Sequence, residues 1–159
     1  MQTLIQRTRP DQKKNLETTA SIGLGMGLLQ QCLPRCGCTE TELEQVLLNL
    51  LRNAAQAMFM ANPPMPTPKI EIRMRALDDA VRLEVADNGP GMEPEVLRKA
   101  FEPFYTTKPP GAGTGLGLSV AYFIITKGHR GKMWATSTPG SGSTFHVELL
   151  AEPQETPHV

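Results

Sequence analysis

Three closely spaced pieces between Asp87 and Ser119 constrain this chain more than any other feature: D-N-G-P-G-M at 87–92, F-E-P-F-Y-T-T-K at 101–108 and G-A-G-T-G-L-G-L-S at 111–119. Before the first piece, Val81 to Val85 alternates apolar and charged residues as a half-buried strand does. Asp87 is therefore expected at a strand end, just ahead of Gly89 and Gly91, which let another surface approach the backbone closely. A carboxylate so placed can accept a hydrogen bond from an exocyclic amine such as that of adenine. In the third piece Gly111, Gly113, Gly115 and Gly117 alternate just before an apolar, helix-like run. Backbone N–H groups at a glycine-rich helix start suit phosphate. An amine acceptor followed by a phosphate cradle outlines a nucleotide site.

Taken singly, each piece also has a plain structural reading. A D-x-G-x-G turn is often an ordinary loop, and a glycine run alone can be a flexible linker. Two better-known phosphate motifs are not met. Gly131-Lys132 is followed by Met133, so no G-x-x-x-x-G-K-[ST] is present. The dinucleotide fingerprint needs a strand directly before its glycines, whereas Lys108-Pro109-Pro110 stands there. Order and spacing carry the inference.

At 159 residues the chain suits one domain with a real core. Lys plus Arg and Asp plus Glu balance at 16 each, so no global field recruits nucleic acid or anionic lipid. No apolar run approaches the length of a membrane span, and no secretory signal is visible. Cys32, Cys36 and Cys38 form an odd set with no histidine nearby in sequence, which favours reduced thiols and a cytoplasmic setting over zinc.

Read in order, residues 1 to 18 are polar and are expected as a stub or linker. Residues 19 to 29 read as a glycine-weakened strand opening a domain that runs to 150, and 30 to 38 as a loop. Thr39-Glu40-Thr41-Glu42 fits a capping box, and a helix should follow over 40–60 with Leu43, Val46, Leu47, Leu50, Ala54 and Ala57 as its apolar stripe. Asn49 and Asn53, four apart, share one face of it. That pair is either a solvated face or, more sharply, a place where the Asn53 oxygen ligates a hard cation such as Mg²⁺ that also holds phosphates. Residues 62 to 68 form a proline-rich loop. Lys69–Arg75 and Val81–Val85 read as a hairpin, Met92–Phe101 as a short helix with Pro94 in its first turn, and 102–114 as a mobile loop. Gly115–Lys127 reads as a helix, Lys132–Ser137 and Ser143–Leu149 as strands joined by a turn. Residues 151–159 read as a disordered tail.

The ordered set N-L-L-R-N-A-A-Q-A-M at 49–58, D-N-G-P-G-M at 87–92, F-E-P-F-Y-T-T-K at 101–108, G-T-G-L-G-L-S at 113–119 and G-S-G-S-T-F at 140–145 resembles the catalytic and ATP-binding domain of bacterial sensor histidine kinases. The T-T-K-P stretch is similar to the branch that includes nitrogen-regulation and oxygen-sensing kinases. The resemblance spans about residues 40 to 150. It implies an α+β, two-layer sandwich (the Bergerat fold) with a mixed, mostly antiparallel sheet covered on one face by about three helices. It further implies that Asp87 binds the adenine amine, that Gly89 and Gly91 shape the adenine pocket, and that Asn53 holds Mg²⁺. Asn49 would sit near the phosphates. Thr107, Lys108, Gly113, Thr114, Gly115, Leu116 and Gly117 would border the triphosphate. Phe101 and Phe104 would anchor a lid, and Ser143 or Thr144 would support Asp87 through water.

Many such kinases carry a lysine or histidine three residues after the Mg²⁺ asparagine. Gln56 stands here, leaving Lys108 either to supply that charge or to be a solvated loop lysine. His129, His146 and His158 all lie outside a phosphoacceptor context. The resemblance thus implies a catalytic part that uses Mg²⁺ and ATP, with Asn49 and Lys108 as its catalytic residues. It would phosphorylate a histidine-bearing dimerisation domain, in the same longer chain or in another, upstream of a response regulator. The setting expected is cytoplasmic, with room for its being the cytoplasmic part of a membrane-bound sensor. The alternatives are an ATP-dependent docking module without chemistry, a serine kinase, and an ATP hydrolase. Hydrolases of this superfamily place a glutamate base where Asn49 stands, and an amide cannot serve as that base.

Overall fold

A computed structural model describes residues 17–21, 38–64 and 66–151. Five strands form one sheet in the order β1-β2-β3-β5-β4: β1 (Glu17–Ser21), β2 (Ile70–Ala76), β3 (Ala80–Asp87), β4 (Lys132–Thr138) and β5 (Gly142–Leu150). The helices are α1 (Glu40–Phe59), α2 (Pro94–Lys99) and α3 (Gly117–Phe123), the last running into a wide π-turn at Ile124–Gly128. The expected two-layer arrangement is present. All the strand pairings are antiparallel, so the parallel part of a mixed sheet does not appear among the described residues.

Alternation along the strands sorts the two faces of the sheet. Val85 sits opposite Phe145, and Phe145 opposite Ala135, while Val147 faces Leu83 and Met133. That face meets Val46 and Leu50 of α1, Ala121 of α3 and Ile125 to make the core. Phe145, Leu50, Ile125, Val46, Val85 and Val147 are fully buried, each worth about 1.5–3 kcal/mol of apolar transfer. The opposite face is polar. There Arg82 binds Glu148 at 2.8 Å and lies over the ring of Trp134, and His146 stacks on Trp134 with centroids 4.9 Å apart.

Several local expectations are corrected by tertiary contacts. β1 begins at Glu17, so residues 17 and 18 belong to the sheet and not to a polar stub; residues 22–29 of the expected strand, and the tail from 152, lie outside the described residues. The capping box at Thr39 does not form. The Thr39 carbonyl accepts from the N–H groups of Glu42 and Leu43 at 3.1 Å, and its side chain caps nothing. Glu42 faces His129 instead, with Oε2 3.0 Å from Nε2. The helix expected from Gly115 starts at Gly117, because Gly115 holds φ +68°, outside helical space. No helix among the described residues is long and apolar enough to cross a membrane.

Candidate nucleotide site

The asparagine face of α1, the start of α2, the loop after it and the start of α3 enclose a cavity of about 300 Å³. Asn49 and Asn53 project into it from α1, on the polar side of a helix whose other side carries buried Val46, Leu50 and Ala54. Gln45 Nε2 donates to Asn49 Oδ1 at 3.0 Å, which leaves the Asn49 NH₂ as the group presented to a ligand. The Asn53 side chain makes no hydrogen bond among the described residues, so its oxygen remains available. Thr107, Lys108, Gly113, Thr114, Gly115 and Gly117 line the same cavity from the loop and the α3 start, and Met92, Val96 and Ala100 supply an apolar wall.

The loop from 105 to 114 is closed at its neck. Phe104 N donates to Gly115 O at 3.0 Å, and a Cβ on Gly115 would overlap the Phe104 backbone. Phe104 pays for this contact with φ +64°, an uncommon conformation for a bulky residue. Phe101 anchors the loop base as expected: its ring lies 5.2 Å from Tyr122 and 6.4 Å from Phe145. Phe104 does not act as a buried anchor. The residue is 74% exposed, and its backbone does the holding.

Asp87 ends β3 on the core-facing side and is buried. Burial raises its pKa, and N–H groups from Gly89 and Ser143 oppose that rise. Gly89 N donates to Asp87 Oδ1 at 2.8 Å, and Met58 of α1 lies directly beside Gly89. Gly91 packs on the Thr138 carbonyl so closely that a side chain could not fit, and Met92 N donates to Ser137 Oγ at 2.8 Å. These contacts tie the first glycine loop to the β4–β5 turn. Asn88, unremarked in the sequence, pins the proline-rich loop by accepting from Lys69 N and donating to Thr67 O.

Not every expected site residue converges. Asp87, Gly89, Gly91, Leu116 and Thr144 do not line the 300 Å³ cavity. Leu116 is the cap residue of α3, where its carbonyl accepts from Val120 N and Ser119 Oγ. The register pairs Asp87 with Ser143 and Ala86 with Thr144, so alternation puts Ser143 on the Asp87 face and Thr144 on the opposite one. Of the Ser143/Thr144 pair, Ser143 is the neighbour of Asp87. Arg52, Tyr105 and Thr106 line the cavity without any role having been expected of them, and Gln56, noted only for standing where many such kinases carry a cation, lines it too. Arg52 could have been found from helical spacing, since it adjoins the asparagine face.

A model of the histidine kinase-, DNA gyrase B- and HSP90-like ATPase family matches residues 38–153, which contain both the asparagine face and the glycine loops. The chain belongs to that family. Its relatives are sensor kinases: the two-component sensor PprA of Pseudomonas aeruginosa is 42% identical over 117 residues, covering 72% of this chain and 12% of that protein. The catalytic domain of histidine kinase ThkA is 35% identical with a TM-score of 0.59, covering 73% of this chain and 71% of that one. Full-length ShkA bound to AMPPNP gives a TM-score of 0.62 at 29% identity, over 76% of this chain and 24% of that one. The fold and sequence are those of the ATP-binding catalytic domain of sensor histidine kinases. The chain spans only about an eighth of the length of PprA.

Proposed function

We propose that this chain binds Mg²⁺–ATP and transfers the γ-phosphoryl group to a histidine on a dimerisation domain, from which a response regulator receives it. One observation carries this reading: the cavity is lined by amides, hydroxyls, glycine backbone and the cations Arg52 and Lys108, with no carboxylate or imidazole among its described lining residues. Such a site can hold and neutralise phosphates, yet it offers water no general base. Hydrolysis is therefore disfavoured and an external nucleophile is needed. That nucleophile is an imidazole nitrogen of the partner histidine. The lone-pair nitrogen of the ring forms a P–N bond as the bond from the γ-phosphorus to the β,γ-bridging oxygen breaks, ADP leaves, and the proton on the other imidazole nitrogen passes to solvent.

In this reading Asp87, with Gly89 and Gly91 beside it, receives the adenine amine, while Asn49, Thr107, Lys108, Gly113, Thr114, Gly115 and Gly117 surround the triphosphate. The donor set fits Mg²⁺: one uncommitted amide oxygen at Asn53 suits a cation that takes most of its ligands from phosphate and water. The metal would supply charge neutralisation on the phosphates. ShkA, similar in fold, binds an ATP analogue, which supports the nucleotide assignment. The reading also assigns the chain to the cytoplasm, where ATP and reduced thiols are found.

The test is incubation with γ-labelled ATP and Mg²⁺, first alone and then with a four-helix dimerisation domain from a matching kinase. The expected result is acid-labile label on the partner histidine and none on this chain. Label on His129, His146 or His158 of the isolated chain would refute transfer to an external histidine. Nucleotide binding without any transfer would identify a docking module instead.

A further inference from the structure

Lys108 reaches across the cavity to a residue 52 positions earlier, its Nζ donating to Gln56 Oε1 at 2.6 Å. Gln56 follows Asn49 and Asn53 along one face of α1, and all of them line the same cavity. The pairing is unusual in its chemistry. A partly buried ammonium ordinarily finds a carboxylate, since a neutral amide restores little of the lost hydration. Here burial, with no charge partner among the described residues, holds the Lys108 pKa below the ordinary lysine value. An ammonium has three donors, and Gln56 occupies one of them. The others remain for oxygens entering the cavity.

We propose that Gln56 is a positioning residue: its amide holds the Lys108 ammonium inside the cavity before nucleotide arrives, so that the loop presents a placed but unneutralised cation to triphosphate oxygens. A carboxylate at position 56 would hold Lys108 more tightly but cancel the charge that attracts the anion. An apolar residue would leave Lys108 unheld. The amide alone among these holds without neutralising. The consequence for ligands rests on the nucleotide reading above, whereas the docking of Lys108 is measurable with no nucleotide present.

Hydrogen exchange across residues 104–116 of the nucleotide-free chain reads the docking, and calorimetry with Mg²⁺–AMPPNP and Mg²⁺–ADP reads its consequence. Gln56→Ala should speed exchange by about threefold to tenfold, the scale of one hydrogen bond to a charged group partly open to water. It should also weaken AMPPNP more than ADP. Gln56→Glu should slow exchange below that of the parent while still weakening AMPPNP, a split that loss of packing does not produce. Both exchange effects should vanish in a Lys108→Ala background. Unchanged exchange in Gln56→Ala, or an equal effect with and without Lys108, would overturn the proposal. Should the parent bind no nucleotide, the function proposed above fails while the exchange measurements still decide the role of Gln56.

Discussion

Asp87 is a carboxylate that the fold buries at some cost, and on the proposed function it would serve the ligand. Its carboxyl is buried at the end of β3, and desolvation raises its pKa despite the N–H groups of Gly89 and Ser143. A raised carboxyl pKa means that the folded chain binds this proton more tightly than the unfolded chain does. The site's contribution to stability is therefore fullest below the unfolded pKa and is lost as pH rises through the folded value. At neutral pH the ionised group is a cost that an amine donor from a ligand can offset. Asp87→Asn should accordingly weaken ATP by about 10- to 100-fold, the loss of a hydrogen bond to a charged acceptor. The melting temperature of the nucleotide-free chain should hold or rise. Calorimetry and a thermal melt on the same sample check both halves, and equal ATP affinity in variant and parent would remove Asp87 from the adenine site. ATP affinity should also begin to fall, on acidification, at a pH above the usual aspartate range.

At the scale of elements, the loop between α2 and α3 is governed by its neck. Phe104 N to Gly115 O closes it, and Gly115 at φ +68° leaves no room for a side chain against Phe104. Gly115→Ala would combine an unfavourable backbone conformation with a clash, a cost on the order of 1–3 kcal/mol. Because the neck lies outside the core cluster, most of that cost should appear locally. Faster hydrogen exchange over 104–116 and weaker triphosphate binding are expected, with a smaller change in melting temperature. A variant that melts much earlier but keeps its exchange pattern would mean that the neck supports the core rather than the loop.

Across the whole molecule, two faces of one sheet divide the labour. The helix-covered face holds Phe145 and Val85 in the core, whereas the other holds Glu148 against Arg82 and, at 3.5 Å, Lys132. Arg82 first, and Lys132 with it, keeps the Glu148 carboxyl below its usual pKa range. The sign is opposite to that of Asp87: this stability is present above the unfolded pKa and is lost as pH falls through the folded one. Glu148→Gln should cost about 1 kcal/mol near neutral pH, after allowance for water around Arg82. It should also flatten the acid limb of the stability curve. Denaturant titrations from neutral pH into the acid range check this, and an unchanged acid limb would show that Arg82 is satisfied without Glu148.

The sequence by itself determined the elements whose causes are local. The stripe from Leu43 to Ala57 set α1 on Glu40–Phe59, alternation set the β2–β3 hairpin, and Pro94 opened α2. Side-chain period, turn residues and backbone restriction act within a few positions, so they can be read without a partner in view. The order of the asparagine face and the glycine loops also pointed to the cavity where most of them meet. Tertiary structure alone decided the rest. The capping box did not form, and Glu42 lies instead beside a histidine nearly ninety residues away in the chain, on the far side of the glycine loops. Choosing Ser143 over Thr144 as the neighbour of Asp87 needed the β3–β5 register, and the exposure of Phe104 needed its bond to Gly115. Lys108 could be read either as a solvated loop lysine or as a source of phosphate-side charge, and only packing brought it to Gln56 on the cavity wall. Each of these outcomes depends on which distant surfaces meet, and that is settled by burial of the shared core rather than by any local preference.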